Sequence, residues 1–164
     1  MALDIQKSRR KWVLLQELPA DIVEQPAQHF DRMDEEQIAK MIMNEVVKTY
    51  VYRFRMKDGR EVVGLSFAGV KAWILRRGSI EIMNYDIEYD PRSNQWHATV
   101  KVRDMVRWID ALGTASCEAD KPFARVIALN KALRNAWRHL IPEKQISAII
   151  DFYLRKEEKK QPIS

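Results

Sequence analysis

The feature that most constrains this sequence is a change in the spacing of its apolar residues at Thr49. Between residues 34 and 47 apolar side chains recur at helical spacing, but beyond Thr49 apolar and polar residues alternate. The alternation is interrupted by Asp58-Gly59, which suits a two-residue turn because both positions tolerate a positive φ. The segment therefore predicts a β-hairpin whose second strand covers residues 60–65.

The two faces of this predicted hairpin differ in chemistry. One face is aromatic, and the other is basic, with Arg53, Arg55 and Lys57. A charged face protects an exposed hairpin from pairing with other strands. It also suits a sugar-phosphate backbone, so both interpretations stay open at this point.

Capping residues and periodicity predict the remaining elements. Asp34, with Gln37 three residues later, indicates the start of a helix that reaches about Val47. Ser66 and Gly78 bracket a second helix. The rest of the order is three strands, at about 80–89, 95–103 and 106–115, a helix from Pro122 to about Leu140, and a last helix over about 143–156. This order predicts an α+β fold in which an antiparallel hairpin and a three-strand meander pack on a long helix.

The chain also divides along its length. Residues 1–33 contain two prolines and no sustained period, so we predict an N-terminal arm there. A single domain is expected over residues 34–156, followed by a basic C-terminal tail over 157–164.

Composition excludes several classes of protein. With 46% hydrophobic residues, one cysteine (Cys117) and three histidines, the chain is neither disordered nor built on disulfides or a familiar zinc cluster. No stretch approaches the roughly 18 apolar residues of a membrane span. We therefore expect a cytoplasmic protein that needs no cofactor and does not bind membranes.

The net charge of +5 is distributed unevenly. Residues 49–60 carry a net charge of +3 and residues 121–160 carry +6, while the segments around them offset part of this excess. A localised positive excess indicates an anionic partner more strongly than a diffuse one does.

Three cations of the long predicted helix form a basic edge. Lys131, Arg134 and Arg138 fall within about 60° of one another at 100° per residue, and no carboxylate of the same helix lies four residues away. Like charges at this spacing repel, so a bound anion would explain why they are tolerated. Lys101 and Arg103 are predicted to alternate outward on a later strand in the same way as the hairpin cations.

Aromatic side chains near these cations are candidates for stacking on nucleic-acid bases. The candidates are Tyr50, Tyr52, Trp73 and Trp108, although each also fits a core position. Tyr85 and Tyr89 are interpreted as core residues.

Enzyme signatures are largely absent from the sequence. No phosphate-binding loop, dinucleotide fingerprint or nucleophile elbow is found. Asp86, Glu88 and Asp90 alternate on one strand face and could seat a divalent metal, which keeps a metal-dependent nuclease as an alternative. A solvated strand face is the simpler interpretation, and we expect a protein that is not an enzyme.

The order of these motifs resembles the single-strand annealing domain of the eukaryotic Rad-type recombination mediator and its phage relatives of the Erf and RecT kinds. The resemblance covers about residues 45–141. It is carried by the hairpin, by Gly64-Leu65-Ser66-Phe67-Ala68-Gly69-Val70-Lys71-Ala72-Trp73 leading to Arg77-Gly78, by Ala111-Leu112-Gly113-Thr114-Ala115, and by Ala128-Leu129-Asn130-Lys131-Ala132-Leu133-Arg134-Asn135-Ala136. The resemblance implies a β-β-β-α core, assembly into rings or filaments, and a basic groove for single-stranded DNA.

The resemblance also implies roles for individual residues. Lys131 and Arg134 match basic positions that contact the DNA backbone, Arg138 extends that edge, and Lys71 roughly matches a further DNA-contacting residue. Asn130 departs from the pattern, because the family is basic there.

We therefore expect a protein that binds single-stranded DNA and promotes strand annealing in recombination or repair, as an oligomer. The expected contacts are Arg53, Arg55, Lys57, Lys71, Lys101, Arg103, Lys131, Arg134 and Arg138. An RNA-binding or architectural module that uses the same basic faces is the main alternative.

Overall fold

The computed structural model describes residues 26–160. Its elements are helix α1 (Pro26–Ile42), strands β1 (Val51–Arg55) and β2 (Glu61–Leu65), helix α2 (Phe67–Arg77), strands β3 (Ile80–Asp90), β4 (Gln95–Asp104) and β5 (Ile109–Glu118), and helices α3 (Ala124–Leu140) and α4 (Glu143–Lys160). Strands β1 and β2 form one antiparallel sheet, and β3, β4 and β5 form a second in that order. The predicted α+β class with two antiparallel sheets is confirmed. Of the predicted arm and tail, residues 1–25 and 161–164 lie outside the described residues.

The bounds of α1 differ from the sequence prediction. The helix begins at Pro26, within the segment predicted as an arm, and ends at Ile42 instead of Val47. Asp34 therefore lies in the middle of the helix and cannot be its N-cap.

Asp34 and Gln37 cap a different helix. The backbone N–H of Phe67 donates to Asp34 Oδ1 at 2.8 Å, and that of Ala68 donates to Gln37 Oε1 at 3.0 Å. Phe67 and Ala68 open α2, where the first N–H groups have no partner within their own helix. The capping pair that the sequence suggested for α1 thus holds the start of α2 against α1.

The predicted ends of α2 are confirmed. The N–H of Gly69 donates to the Ser66 hydroxyl at 3.0 Å, so Ser66 is the N-cap. Gly78 takes the left-handed conformation with φ 72°, which favours glycine after the last turn of a helix.

The hairpin has the predicted faces but a different turn. Tyr52 and Phe54 of β1 are buried, and the alternating positions Arg53 and Arg55 are not. Met56 N–H donates to the carbonyl oxygen of Arg60 at 2.7 Å, so three residues form the loop instead of two. Gly59, the last of them, has φ 92°, as expected where a short turn is followed by a left-handed residue.

The second sheet is packed on α3. The helix lies across β4 and β5, where Val100 and Val102 of β4 are buried against Ala128 and Ala132. The bounds of three elements differ from the prediction. Helix α3 begins at Ala124 instead of Pro122, and β5 covers residues 109–118 instead of 106–115. Helix α4 continues to Lys160 instead of about residue 156, so residues 157–160 of the predicted tail are helical.

Strand β3 is largely exposed at the edge of this sheet. Tyr85 and Tyr89 are 60% and 46% exposed, so the interpretation of these tyrosines as core residues is wrong. The reason is that α3 packs on β4 and β5, and its cover does not extend over β3. A second buried cluster joins the hairpin, α2 and α4 through Leu65, Val70, Trp73, Ile74, Ile141 and Ile146.

Gly113 permits the close approach of α3 to β5. A Cβ atom at this position would collide with the backbone of Ala132 and Ala136 in α3. We expect Gly113→Ala to lower the free energy of unfolding by roughly 1–3 kcal/mol or more, because neither backbone can move aside without disturbing the core. Chemical denaturation followed by circular dichroism measures this change. Thr114→Ala, at the neighbouring exposed position, should have a much smaller effect, and equal effects would contradict this packing.

Candidate nucleic-acid interface

Lys131 is buried, which corrects the expected exposed basic edge of α3. Its side chain is 3% exposed, and Nζ lies 2.7 Å from Asp31 Oδ2 and 2.6 Å from Glu35 Oε2, both on α1. Burial opposes the charged form, but the hydrogen bonds to the two carboxylates outweigh it and raise the pKa of Lys131. The anions that balance the charge of Lys131 are therefore carboxylates of the protein itself, Asp31 and Glu35.

Glu35 is shared between two lysines. It accepts hydrogen bonds from Lys121 and from Lys131. Burial alone would raise the pKa of Glu35, but these bonds outweigh it and the pKa is lowered. The carboxylate is therefore held in its charged form between α1 and α3.

Arg134 is the second basic residue drawn into this junction. Its Nε lies 3.1 Å from Asp34 Oδ2, and Nη2 donates to the carbonyl oxygen of Leu65 at 2.9 Å. Tyr52 also donates its hydroxyl to Asp34, at 2.8 Å. Burial raises the pKa of Asp34 despite these partners.

Arg138, one turn further along α3, faces a groove. The groove has a volume of about 260 Å³ and is lined by Phe30, Val63, Gly64, Leu65, Arg134, Arg138, Ile146 and Ile150. The side chain of Arg138 is 31% exposed, and its guanidinium is 3.4 Å from the carboxylate of Glu143. Because Glu143 is itself well exposed, this ion pair is weak and easily exchanged.

Arg53 neighbours a residue that lines the same groove. It is paired in register with Val63, so the two side chains lie on one face of the hairpin. Arg53 Nε donates to Glu61 at 2.8 Å, and both side chains are partly exposed. Of the predicted contacts, Arg134 and Arg138 line the groove, and Arg53 is the cross-strand neighbour of its lining residue Val63.

The other predicted contacts lie around or away from this groove. Arg55 and Lys57 are exposed on the hairpin. Lys71 is half-buried on α2, with Nζ 6.0 Å from the ring centre of Phe67. None of these three residues is among those that line the groove.

Lys101 and Arg103 lie on the opposite side of the second sheet. They alternate with Val100 and Val102, which face α3, so the predicted outward orientation is confirmed. Arg103 makes two hydrogen bonds to Asp110 on β5, at 2.5 and 3.0 Å, and Lys101 lies 3.4 Å from the same carboxylate. These bonds hold the pKa of Asp110 low, at about 2.

The acidic face of α1 is the part of this site that sequence reasoning missed. Asp31, Asp34 and Glu35 have the spacing i, i+3 and i+4, which places them on one side of a helix. Lys131 and Arg134 have the matching spacing i and i+3 on α3. This complementarity is the signal that could have predicted the contact between the two helices.

The alternative of a metal-dependent nuclease has no set of metal ligands to support it in the part of the chain that the structure describes. Between residues 26 and 160, no three or more His, Cys, Asp or Glu side chains are grouped so that they could hold a metal ion. Asp86, Glu88 and Asp90 are spread along the edge strand β3. Within the same range, no helix is both long and apolar enough to cross a membrane.

Comparison with known proteins shows a limited similarity. No model of a known protein family matches the chain. An uncharacterized protein of Methanocaldococcus jannaschii is 31% identical over 98 residues. The match covers 57% of this chain and 40% of that protein, so the chain spans less than half of the relative's length. Its description names no activity or partner.

The burial of Lys131 predicts a structural role for this residue. We expect Lys131→Ala to lower the free energy of unfolding by about 3 kcal/mol, because Asp31 and Glu35 lose a buried partner. Arg138→Ala should cost about 0.5 kcal/mol, since it breaks only an exposed pair. Urea denaturation of the two variants measures the difference. Equal stabilities would mean that Lys131 is not buried as described.

Proposed function

We propose that this protein binds single-stranded DNA and promotes annealing of complementary strands, as an oligomer, in DNA recombination or repair. The observation that carries the proposal is the groove between α3, α4 and β2, in which Arg134 and Arg138 lie among apolar side chains and Arg53 is the cross-strand neighbour of the lining residue Val63. Single-stranded nucleic acid is bound by such grooves, where cations follow the phosphates and apolar or aromatic groups contact the bases.

The elements around the groove carry excess positive charge. The hairpin residues that line it, Val63 to Leu65, belong to the strand that pairs with β1, and β1 lies in residues 49–60, which carry a net charge of +3. The helical side belongs to residues 121–160, which carry +6. Tyr50 stacks on Tyr153 of α4 with ring centres 5.0 Å apart, so the basic second half of α4 continues along the hairpin. The field of these elements favours a phosphate backbone between them.

The buried and exposed cations have different roles in this proposal. Lys131 and Arg134 hold α1 and the hairpin in place, so that the groove exists. Arg53, Arg55 and Arg138 neutralise phosphates and release counterions. The energy of annealing comes from duplex formation, so the mechanism needs no catalysis and no nucleotide cofactor.

The order of elements supports the annealing part of the proposal. A helix and a hairpin precede α2, and the meander β3–β5 is followed by the long helix α3. This is the order expected from the resemblance to annealing proteins of the Rad, Erf and RecT kinds, in which a β-β-β-α core follows a helix-bearing segment.

The exposed edge strand β3 supports the proposal that the protein forms an oligomer. It is eleven residues long and lies at an edge of its sheet, so one side of its backbone has no strand partner among the described residues. Ile82, Met83, Tyr85 and Tyr89 are exposed along it. A long edge strand with exposed apolar side chains is a template for association, and a second copy of this chain is the proposed occupant.

A salt titration tests the groove. We expect the combined substitution Arg53→Gln and Arg138→Gln to weaken binding of an oligothymidylate and to reduce the slope of log K against log salt by roughly 1.4, about 0.7 for each lost phosphate contact. Fluorescence anisotropy of a labelled oligonucleotide measures both changes.

The matched control is Arg92→Gln with Arg125→Gln, which removes the same charge away from the groove. An unchanged slope in the groove variant, or an equal change in the control, would contradict the proposed site. Competition with single-stranded RNA and duplex DNA distinguishes the annealing protein from an RNA-binding or architectural module.

Light scattering after size exclusion tests self-association. We expect a mass well above the 19.3 kDa of one chain, and a lower mass for Ile82→Lys with Tyr85→Lys because charges then oppose edge pairing. Thr99→Lys, at an exposed position of the central strand, is the control. A 19.3 kDa species with and without DNA would exclude the oligomer.

A further inference from the structure

Strand β3 carries a row of carboxylates that form no ion pair within the described part of the chain. Glu81, Asp86 and Glu88 are exposed. Their register partners in β4 alternate with the residues that face α3, so the three side chains lie on the open face of the second sheet. Residues 80–90 contain no lysine or arginine. We call these three residues the acidic row.

The cations of the neighbouring strand bind a different carboxylate. Arg103 is the register partner of Glu81, but its guanidinium makes two hydrogen bonds to Asp110 of β5. Lys101 Nζ lies 3.4 Å from Asp110 Oδ2. Both cations are therefore drawn toward β5, and the acidic row is left for a partner from outside the sheet.

The second half of α4 carries a basic face. Phe152, Arg155, Lys156 and Lys159 have the spacing i, i+3, i+4 and i+7, which places them on one side of the helix. All four side chains are exposed. Between residues 26 and 160, the three cations form no ion pair. They are also not among the residues that line the groove.

In one chain the acidic row and the basic face belong to different parts of the fold. Tyr153 stacks on Tyr50, which holds the second half of α4 at the hairpin. Strand β3 lies at the edge of the other sheet. Among the described residues no ion pair joins the two surfaces, so a contact between them joins two copies of the chain.

The spacings of the charges on the two surfaces match. Asp86 and Glu88 are two residues apart on a strand, which separates them by about 7 Å. Arg155 and Lys159 are four residues apart on a helix, which separates them by about 6 Å along its axis. A helix that lies along β3 therefore brings two cations opposite two carboxylates at once.

Apolar side chains and the strand edge add to this contact. Phe152 of α4 and Met83 of β3 are 60% and 42% exposed, so both have apolar surface to lose to a partner. One side of the β3 backbone has no strand partner within the described range, and a helix is one of the elements that cover such an edge. Isolated ion pairs on a surface contribute little, so these contacts are needed beside them.

We propose that the basic face of α4 in one copy docks on the acidic row of β3 in the next copy. This inference rests on the proposed function, because it names the surface that covers β3 in the oligomer. The two surfaces differ, so each copy binds one neighbour through its acidic row and the other neighbour through its basic face. Contacts of this head-to-tail kind produce a ring if the rotation closes and a filament if it does not.

Two charge-reversal variants of the full chain test the inference. Asp86→Lys with Glu88→Lys reverses the net charge of the acidic row, and Arg155→Glu with Lys159→Glu reverses that of the basic face. Light scattering after size exclusion measures the mass of each variant alone and of their equimolar mixture, without DNA. Circular dichroism compares the helix content of each variant with that of the wild type.

We expect the mass of each variant alone to fall to the 19.3 kDa of one chain, because like charges then meet at every contact. The mixture should regain the mass of the wild type. In the mixture, the reversed row of one variant meets the reversed face of the other, and the two unchanged surfaces meet at the next contact.

A matched control and a salt titration complete the test. Lys40→Glu with Arg76→Glu makes the same change of charge at exposed positions of α1 and α2, and it should keep the mass of the wild type. The mass of the wild type itself should fall as salt rises, because salt screens exposed charges. This last measurement needs no variant and holds even where a reversal unfolds the chain.

Three results would overturn the inference while the proposed oligomer stands. One is the wild-type mass in the Arg155 and Lys159 variant, which would show that β3 binds another surface, such as a second β3. Another is a mixture of folded variants that stays at the mass of one chain. The third is a wild-type mass that does not change with salt. A wild type of 19.3 kDa at all salt concentrations would instead overturn the oligomer, and this inference with it.

Discussion

The rest of this structure depends on the contacts of one buried carboxylate, that of Asp34. It lies in α1, accepts the hydroxyl of Tyr52 in β1 and the first N–H of α2, and pairs with Arg134 of α3. Four elements that are distant in sequence therefore meet at one buried side chain. Beside it, Asp31 and Glu35 bind Lys131 in the same way. A buried charge that lost its partners would be costly, so these contacts fix the position of α1 and the hairpin relative to α3.

This junction divides the basic residues of α3 into two groups. Lys131 and Arg134 pair with carboxylates of α1. Arg138 instead lies at the rim of the groove, and its partner, the exposed carboxylate of Glu143, can be replaced by another anion. The division explains how a helix can carry three cations on one edge without mutual repulsion. It also means that loss of DNA binding on mutation of Lys131 would not identify a DNA contact, because the groove itself depends on this residue.

The sequence predicted local structure better than it predicted pairing between distant segments. Ser66 and Gly78 act on the ends of the helix that they flank, and the hairpin faces follow from alternation, so these predictions are confirmed. The role of Asp34 could not be read locally, because its partners lie 18 to 100 positions away in the chain. The exposure of Tyr85 and Tyr89 was also hidden, since it depends on which strands α3 covers. The sequence indicated Trp108 as a candidate for base stacking, but it did not predict the left-handed backbone or the exposure of this residue.

Hydrogen exchange of the full chain, with and without an oligothymidylate, tests most directly whether the groove between the hairpin and the end of α3 binds single-stranded DNA. The account predicts slower amide exchange on binding in β2 and in the last turn of α3, because the strand covers these segments and restricts their opening. Bound DNA that leaves exchange in β2 and the end of α3 unchanged would contradict it.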